Sequence, residues 1–306
     1  MKQRLFNLPN LFFILTFACF FLPSKYATEM RSGLKSPVVF AIVLTIIEVI
    51  FHVNFSNPKK RRASLDITSF IFVFCLIWEL FIARLNLLPY IFVPAPENVF
   101  NVFISDWKKI LIGFVSSMIL IIIGMVASGL SSVILGTLVG WNERLTKAVY
   151  PIVKAISTVP ALIYTPYVVL IVPTFKLASL CVIFLSNFWG GLMSSINNTA
   201  FVEKKILNAA RILNLSTPTI LFKIIIPFNM PRLINALPIQ LATALMTLTV
   251  AEMLGADNGM GFYVRNALNF ANYTKAIAGI IFIGLVVTCL NTAIDVMKRH
   301  LIKWNY

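Results

Sequence analysis

The sequence predicts an all-helical protein that crosses a membrane about eight times. Apolar residues make up 59% of its 306 residues and the mean hydropathy is +0.88, whereas soluble domains average roughly 45–50% apolar residues. Charged residues are only 12% of the chain and cluster between the apolar runs. A membrane span needs about 20 apolar residues. The candidate spans lie at 5–23, 37–55, 67–89, 110–139, 149–173, 177–196, 229–251 and 276–296.

The first two candidate spans are separated from the other six by the basic run KKRR at 59–62. The first span follows Lys2 and Arg4 and resembles the start of a signal peptide. No small-residue cleavage site follows it, so we keep it as a span. We therefore expect residues 1–62 to form an accessory two-span extension, and residues 63–306 to form the functional core.

Basic residues are unevenly distributed between the predicted loops. Lys and Arg predominate in the loops on the side of the N-terminus, and the KKRR run contributes most. The positive-inside rule then predicts a multi-pass protein of the cytoplasmic (inner) membrane with both termini in the cytoplasm. The net charge of +15 is explained by these flanking residues. Nucleic-acid binding is not expected, because no basic face interleaved with aromatic residues lies outside the spans.

Glycines and prolines distinguish two of the middle spans. The fourth span carries glycines that allow close helix contacts, at Gly124, Gly129, Gly136 and Gly140. The fifth span is interrupted by Pro151, Pro160 and Pro166. Broken helices can line a transport pathway, but prolines also occur as plain kinks in membrane helices, and both interpretations stay open for each proline.

A polar insert between the sixth and seventh spans has the periodicity of a short amphipathic helix. Its sequence at 203–217 is EKKILNAARILNLST, with apolar positions at Ile206, Ala210 and Leu213. The opposite face carries Lys204, Asn208 and Arg211. Thr217 and Pro218 suit the start of a further helix. Such an insert either docks onto a soluble partner or lies flat on the lipid surface.

The insert resembles the pattern E-A-A-x-x-x-G-x9-I-x-L-P of permease subunits of binding-protein-dependent ABC importers. The matching positions here are Asn208, Ala209, Ala210, Asn214, Ile224, Ile226 and Pro227. Two of them depart from the pattern, since Asn208 replaces Glu and Asn214 replaces Gly. Asn is the non-glycine residue that best tolerates positive φ, so the turn at Asn214 is expected to survive.

Other segments strengthen the resemblance and bring it closest to the nitrate, sulfonate and taurine branch of these permeases. They are IWELF at 77–81, VPAPENVF at 93–100, residues 134–170 and GMGFYVRNAL at 259–268. The resemblance implies a type I importer permease with a six-span core that dimerises, as a homodimer or a heterodimer. It also implies ATPase subunits that bind ATP and Mg²⁺, an extracytoplasmic binding protein, and a small anion such as a sulfonate, taurine or nitrate as substrate.

By the same resemblance, the insert is a coupling helix at about 203–217 that docks onto the ATPase. The residues expected to carry this coupling are Lys204, Asn208, Ala209, Ala210, Arg211, Asn214 and Pro227. The chain has no G-x-x-x-x-G-K-[ST] loop, no nucleophile–base cluster and no set of metal ligands. We therefore expect it not to be an enzyme, with ATP hydrolysis on the partner.

Four residues in or near the spans are candidates for the pathway or its gate: Glu252, Pro160, Pro166 and Asn187. Each also has a structural interpretation, as a carboxylate, kink or amide held by a neighbouring helix. The alternative function is an ATP-independent secondary transporter or channel. It predicts ionisable residues near span midpoints, which are scarce here. A membrane enzyme would need His, Asp or Cys clusters near a membrane surface.

Overall fold

A computed structural model describes residues 7–24, 35–58, 60–89 and 91–301, and this part of the chain contains helices and no strand. In chain order the helices are α1 Leu8–Cys19, α2 Val38–Phe55, α3 Arg61–Arg84, α4 Pro96–Ser105, α5 Trp107–Trp141, α6 Glu143–Ser157, α7 Ala161–Ile171, α8 Phe175–Ala200, α9 Lys204–Ile212, α10 Thr217–Gly255, α11 Met260–Asn269 and α12 Tyr273–Leu301.

Seven of the eight predicted spans each fall on one of these helices, and the span at 149–173 falls on two, α6 and α7. The all-helical membrane fold is thereby confirmed. Six helices of the described chain are long and apolar enough to cross a membrane, and α6 with α7 gives a seventh, bent by 89°. The helix α1 has only 12 residues, about 18 Å at 1.5 Å per residue. The helix α3 begins six residues before its predicted span, because hydropathy marks the apolar part of a helix and not its polar start.

The chain packs into two compact units, Met1–Ile110 with Asn266–Ile280, and Leu111–Arg265 with Ile281–Tyr306. The predicted boundary after residue 62 lies within the first of these units. That residues 1–62 form a separable extension therefore stays a prediction.

An aromatic cluster holds the first unit together. Phe40 and Leu44 of α2 are buried against Phe72 and Cys75 of α3, and phenylalanines of α1 pack around them. Phe40 also stacks on Phe100 of α4, with ring centroids 5.0 Å apart. The two N-terminal helices thus share one apolar core with α3 and α4.

A buried ionic cluster in the same unit joins two of the segments that carried the family resemblance. Arg84, in the π-helical last turns of α3, donates to Glu79 of IWELF through Nε at 2.7 Å, and to Glu97 of VPAPENVF through Nη2 at 2.7 Å. Trp78 Nε1 donates to Pro94 O at 3.1 Å. Glu79 is fully buried in this cluster.

The second unit is built around α8, which contacts α6, α7 and α10. The helix α5 approaches α8 so closely that an added Cβ at Gly124, Gly136 or Gly140 would press on Ile183, Ser195 or Ile196. Small residues permit this approach of two backbones. Side chains from α5, α8, α10, α11 and α12 complete the apolar core, including Ile121, Leu248 and Val286.

Candidate functional site

One face of the predicted coupling helix α9 is anchored on its own chain. Ala210 is 2% exposed and belongs to a cluster with Val202 and with Ile220, Leu221 and Ile225 of α10. Ile206, Leu207 and Trp141 pack against the same cluster. These contacts fix the orientation of α9, because its short length of nine residues could not stabilise a helix alone.

The opposite face of α9 is uncovered. Asn208 and Ala209 are exposed, Ile212 is 80% exposed and Leu213 is 69% exposed. The prediction that Leu213 shares one helix face with Ile206 and Ala210 is wrong. The helix ends at Ile212, so Leu213 no longer follows the helical period, and Leu207 packs in its place. The side chains of Lys204 and Arg211 lie outside the described part of the structure.

Asn214 ends α9 in the conformation that the glycine of the family pattern would adopt. Its φ is +49°, in the left-handed region. The N–H of Leu215 donates to Ala210 O at 3.2 Å, and Leu215 packs in the same cluster as Ala210. This is the Schellman arrangement, in which a left-handed residue lets the chain turn back and pair a free carbonyl of the helix end.

The chain after this turn forms one long helix that begins where Thr217 and Pro218 indicated, whereas α9 ends at Ile212, five residues before the predicted end of the coupling helix. Thr217 is the first residue of α10 and Ser216 precedes it as the N-cap. Pro227 lies inside α10. It follows a π-helical stretch, Ile220–Ile225, whose wider turns suit a residue that lacks an N–H and crowds the preceding turn.

Three of the pathway candidates lie apart in the second unit. Pro160 precedes α7 at the 89° bend between α6 and α7, whereas Pro166 lies inside α7 and is exposed. Asn187 is buried in α8, and its Nδ2 has no hydrogen-bond partner among the described residues. No hydrogen bond within the described chain links these three residues to Glu252, and their role in a pathway stays a prediction.

Glu252 is 1% exposed and caps the start of α11 from the end of α10. Gly261 N–H donates to its Oε2 at 2.7 Å, and Ser117 Oγ donates to its Oε1 at 2.6 Å. Ser117 Oγ in turn accepts from Met260 N–H at 2.9 Å. Two free N–H groups of a helix N-terminus are thereby paired with a carboxylate and a hydroxyl, which the helix dipole also favours.

Arg265 of α11 caps the C-terminal end of α10. Its Nη1 donates to Met253 O at 3.1 Å and its Nη2 to Ala256 O at 3.0 Å, where the last carbonyls of α10 lack partners within the helix. Between these residues the chain passes Gly259, whose φ is +130°, a conformation that side chains rarely adopt.

Sequence reasoning singled out Glu252 but missed Ser117 and Arg265. The helix ends that they cap could be recognised only once the bounds of α10 and α11 were known. Ser117 lies 135 residues from Glu252 in the chain, so no local pattern signals their contact.

The comparisons with known proteins agree with this architecture. The family described as "Binding-protein-dependent transport system inner membrane component" matches residues 132–304, which is more than half of the chain and includes α9 and α10.

Three transport permeases are similar to this chain, over 58% to 81% of its length. The taurine transport system permease protein TauC of Escherichia coli (strain K12) is 24% identical over 81% of this chain and 92% of its own length. The putative aliphatic sulfonates transport permease protein SsuC of Bacillus subtilis (strain 168) is 27% identical over 59% of this chain and 65% of its own. The nitrate import permease protein NrtB of Leptolyngbya laminosa is 26% identical over 58% of this chain and 64% of its own length.

A solved structure titled as inward facing conformations of the MetNI methionine ABC transporter has a similar fold. One of its chains aligns with a TM-score of 0.52 at 20% sequence identity, over 63% of this chain and 94% of that chain. The likeness concerns the helical fold.

Proposed function

Since this chain belongs to the family of binding-protein-dependent transport system inner membrane components, we propose that it forms the substrate pathway of an ATP-driven importer and couples that pathway to ATPase subunits. The observation that carries the coupling role is the outward face of α9. Its inner face is anchored by Ala210 while Ile212 and Leu213 remain exposed, so the chain presents a fixed apolar surface between two spans.

The outward face of α9 suits a protein partner better than lipid. Asn208, Ala209 and Ile212 are exposed on α9, and Leu213 is exposed directly after it. The surface is therefore small and combines polar with apolar residues, as the surface of a protein interface does. A helix that lies flat on lipid needs a broad apolar face, and the apolar face of α9 is used within the chain. The remaining proposed coupling residues are Lys204, Ala210, Arg211, Asn214 and Pro227.

The proposal also names the partners and the substrate class. ATP and Mg²⁺ bind on the ATPase subunits, a second permease copy completes the pathway, and an extracytoplasmic protein delivers the substrate. Both termini face the cytoplasm. The relatives are named for taurine, aliphatic sulfonates and nitrate, which all carry an anionic group, so a small anion is the proposed substrate.

The test is mild extraction of the tagged full-length chain from its native membranes, followed by mass spectrometry. We expect a stoichiometric ATPase with a phosphate-binding loop to co-purify. Recovery of the chain alone, under conditions that preserve a known ABC complex, would contradict the proposal and favour an ATP-independent transporter or channel.

A paired substitution locates the contact on α9. Ile212→Asp with Leu213→Asp should abolish ATPase recovery, because two carboxylates cannot be desolvated in an apolar interface. The chain itself should fold, since both side chains are exposed. Phe270→Asp is the matched control, because Phe270 is 79% exposed and follows α11. Equal ATPase recovery with both variants would contradict the assignment of α9. Ala210 is unsuitable for this test, because a charge there would disrupt the buried cluster.

A further inference from the structure

We propose that the basic turn, Lys60–Arg62 where the chain passes from α2 into α3, binds the phosphate groups of anionic phospholipids. The helices on both sides are long and apolar enough to span a membrane, Val38–Phe55 and Arg61–Arg84. A short turn between two spans must lie at the membrane surface, at the depth of the lipid headgroups. This holds for either orientation of the chain.

The basic turn concentrates positive charge that the described chain does not neutralise. Lys60, Arg61 and Arg62, the described residues of the run KKRR, are exposed. Within the described residues, none of these three has a carboxylate within ion-pair distance, whereas Lys147, Lys275 and Lys298 each have one. The first acidic residue of α3 is Asp66, about 7 Å further along the helix axis.

The start of α3 adds to this positive field. The N-cap residue Lys60 makes no side-chain cap, and the first turn has no acidic residue. The free N–H groups of the first turn and the positive end of the helix dipole therefore lie beside two guanidinium groups. Cations at this end of a helix repel the dipole, and an anion from outside the chain would offset both.

Arg61 is also held at the level where headgroups begin. Its guanidinium lies over the ring of Phe55, 4.4 Å from the ring centroid, and Phe55 is the last residue of α2. A cation–π contact of this kind restrains the side chain. Because a guanidinium can donate two parallel hydrogen bonds to a phosphate, a restrained arginine at this depth suits a lipid phosphate.

The occupant is a phospholipid because the spans fix the turn in the headgroup layer. Anionic lipids present phosphate there at high local density, and clusters of Lys and Arg next to a span are attracted to them. Inorganic phosphate offers the same chemistry at far lower local concentration, and the experiment separates the two.

The test uses the full-length chain in detergent, with phosphatidylglycerol and phosphatidylcholine of identical acyl chains added in equal amounts. Native mass spectrometry counts the retained lipids, and the unfolding temperature is measured against lipid concentration. We expect preferential retention of phosphatidylglycerol and a higher unfolding temperature. The triple variant Lys60→Gln, Arg61→Gln, Arg62→Gln should weaken this preference at least tenfold, since each cation contributes about fivefold.

Two matched variants decide whether the preference for phosphatidylglycerol depends on the position of the charges in the basic turn or only on the net charge of the protein. Arg61→Lys with Arg62→Lys keeps the charge and should retain most of the preference. A control triple variant, Lys147→Gln, Lys154→Gln, Lys205→Gln, removes three exposed charges from α6 and α9. It should leave the preference for phosphatidylglycerol unchanged. The proposal is overturned if the basic-turn variant keeps the wild-type preference, or if the control triple loses as much. It is also overturned if inorganic phosphate stabilises the protein as strongly as phosphatidylglycerol.

Discussion

Arg84 illustrates how single residues set the chemistry of the first unit. One guanidinium faces two fully buried carboxylates, those of Glu79 and Glu97. Burial, together with the negative charge of Glu79, raises the pKa of Glu97 to about 8. The cluster is therefore most stable when Glu97 carries a proton and Arg84 is balanced by one carboxylate.

This raised pKa predicts that the fold loses stability as the pH rises toward about 8. An unfolded Glu has a pKa of about 4.3, so the protonated group contributes stability that is complete below that value and is lost as the pH rises through about 8. The slope is at most about 1.4 kcal/mol per pH unit. We expect the unfolding temperature of the purified protein to fall between pH 6 and pH 8 and to level off above that range.

The variant Glu97→Gln isolates this effect, because its neutral amide does not titrate and can still accept from Arg84. Its unfolding temperature should depend less on pH than that of the wild type. Glu143→Gln is the control, since the Glu143 side chain is 82% exposed, and it should follow the wild-type curve. Identical pH curves for wild type and Glu97→Gln would contradict the proton assignment.

Asn214 gives a second prediction at the scale of one residue. Its left-handed conformation costs an alanine about 1–2 kcal/mol but costs a glycine little. Asn214→Ala should therefore lower the unfolding temperature, while Asn214→Gly should preserve or raise it. Asn269→Ala is the control, because Asn269 is exposed and ends α11 without a positive φ. If alanine and glycine at 214 behave alike, the turn does not depend on this conformation.

Some features of single residues could be predicted from the sequence, and others could not. The turn at Asn214 was expected from the resemblance to the family pattern, and the tolerance of Asn for positive φ explains why it persists without the glycine. The contacts of Ser117 with Glu252 and of Arg84 with Glu97 could not be predicted, because they depend on where helices meet.

Among whole elements, the contact between α5 and α8 gives the sharpest test of packing. A Cβ at Gly140 would lie 2.7 Å from Ile196 O and 2.8 Å from Thr199 Cβ, so Gly140→Ala should force the helices apart at a cost of about 1–3 kcal/mol. A Cβ at Gly129, on the same helix, meets nothing within 4 Å.

The matched variant Gly129→Ala should be neutral or stabilising by up to about 1 kcal/mol, because alanine is the better helix former. Unfolding temperature and yield in the same detergent measure both variants. Equal destabilisation by both substitutions would show that loss of glycine, and not the close approach of α5 to α8, is responsible.

The positions of the elements were largely predictable, and their exact ends were not. Apolar runs located every span because lipid demands about 20 apolar residues. The break at Pro160 was recognisable from its proline, yet Pro166 and Pro227 lie within helices. A proline interrupts a helix only when the surrounding turns cannot accommodate it, and that depends on neighbouring helices.

For the whole molecule, the role of residues 1–62 remains the main prediction about organisation. Without them, residues 63–306 should still insert and retain the ATPase, because lipid can cover the apolar faces of Phe72 and Phe100. Stability should fall, since both rings lose contacts with Phe40 and its neighbours. Membrane fractionation, ATPase co-purification and unfolding temperature test this.

Two point variants estimate how much of that loss comes from the aromatic cluster. Phe40→Ala removes a fully buried ring and should cost about 3–5 kcal/mol, whereas Phe21→Ala removes a ring that is 89% exposed and should cost little. If the truncated chain fails to insert, the two N-terminal helices belong to the functional core.

The length of α10 has a mechanical consequence. Its 39 residues extend about 58 Å at 1.5 Å per residue, from the turn after α9 to the corner where Glu252 and Arg265 cap each other's helices. A rod of this length that tilts by about 5° around its midpoint moves each end by about 2.5 Å in opposite directions. Because the hydrogen bonds of Glu252 and Arg265 join the end of α10 to α11, we expect α11 to move together with that end.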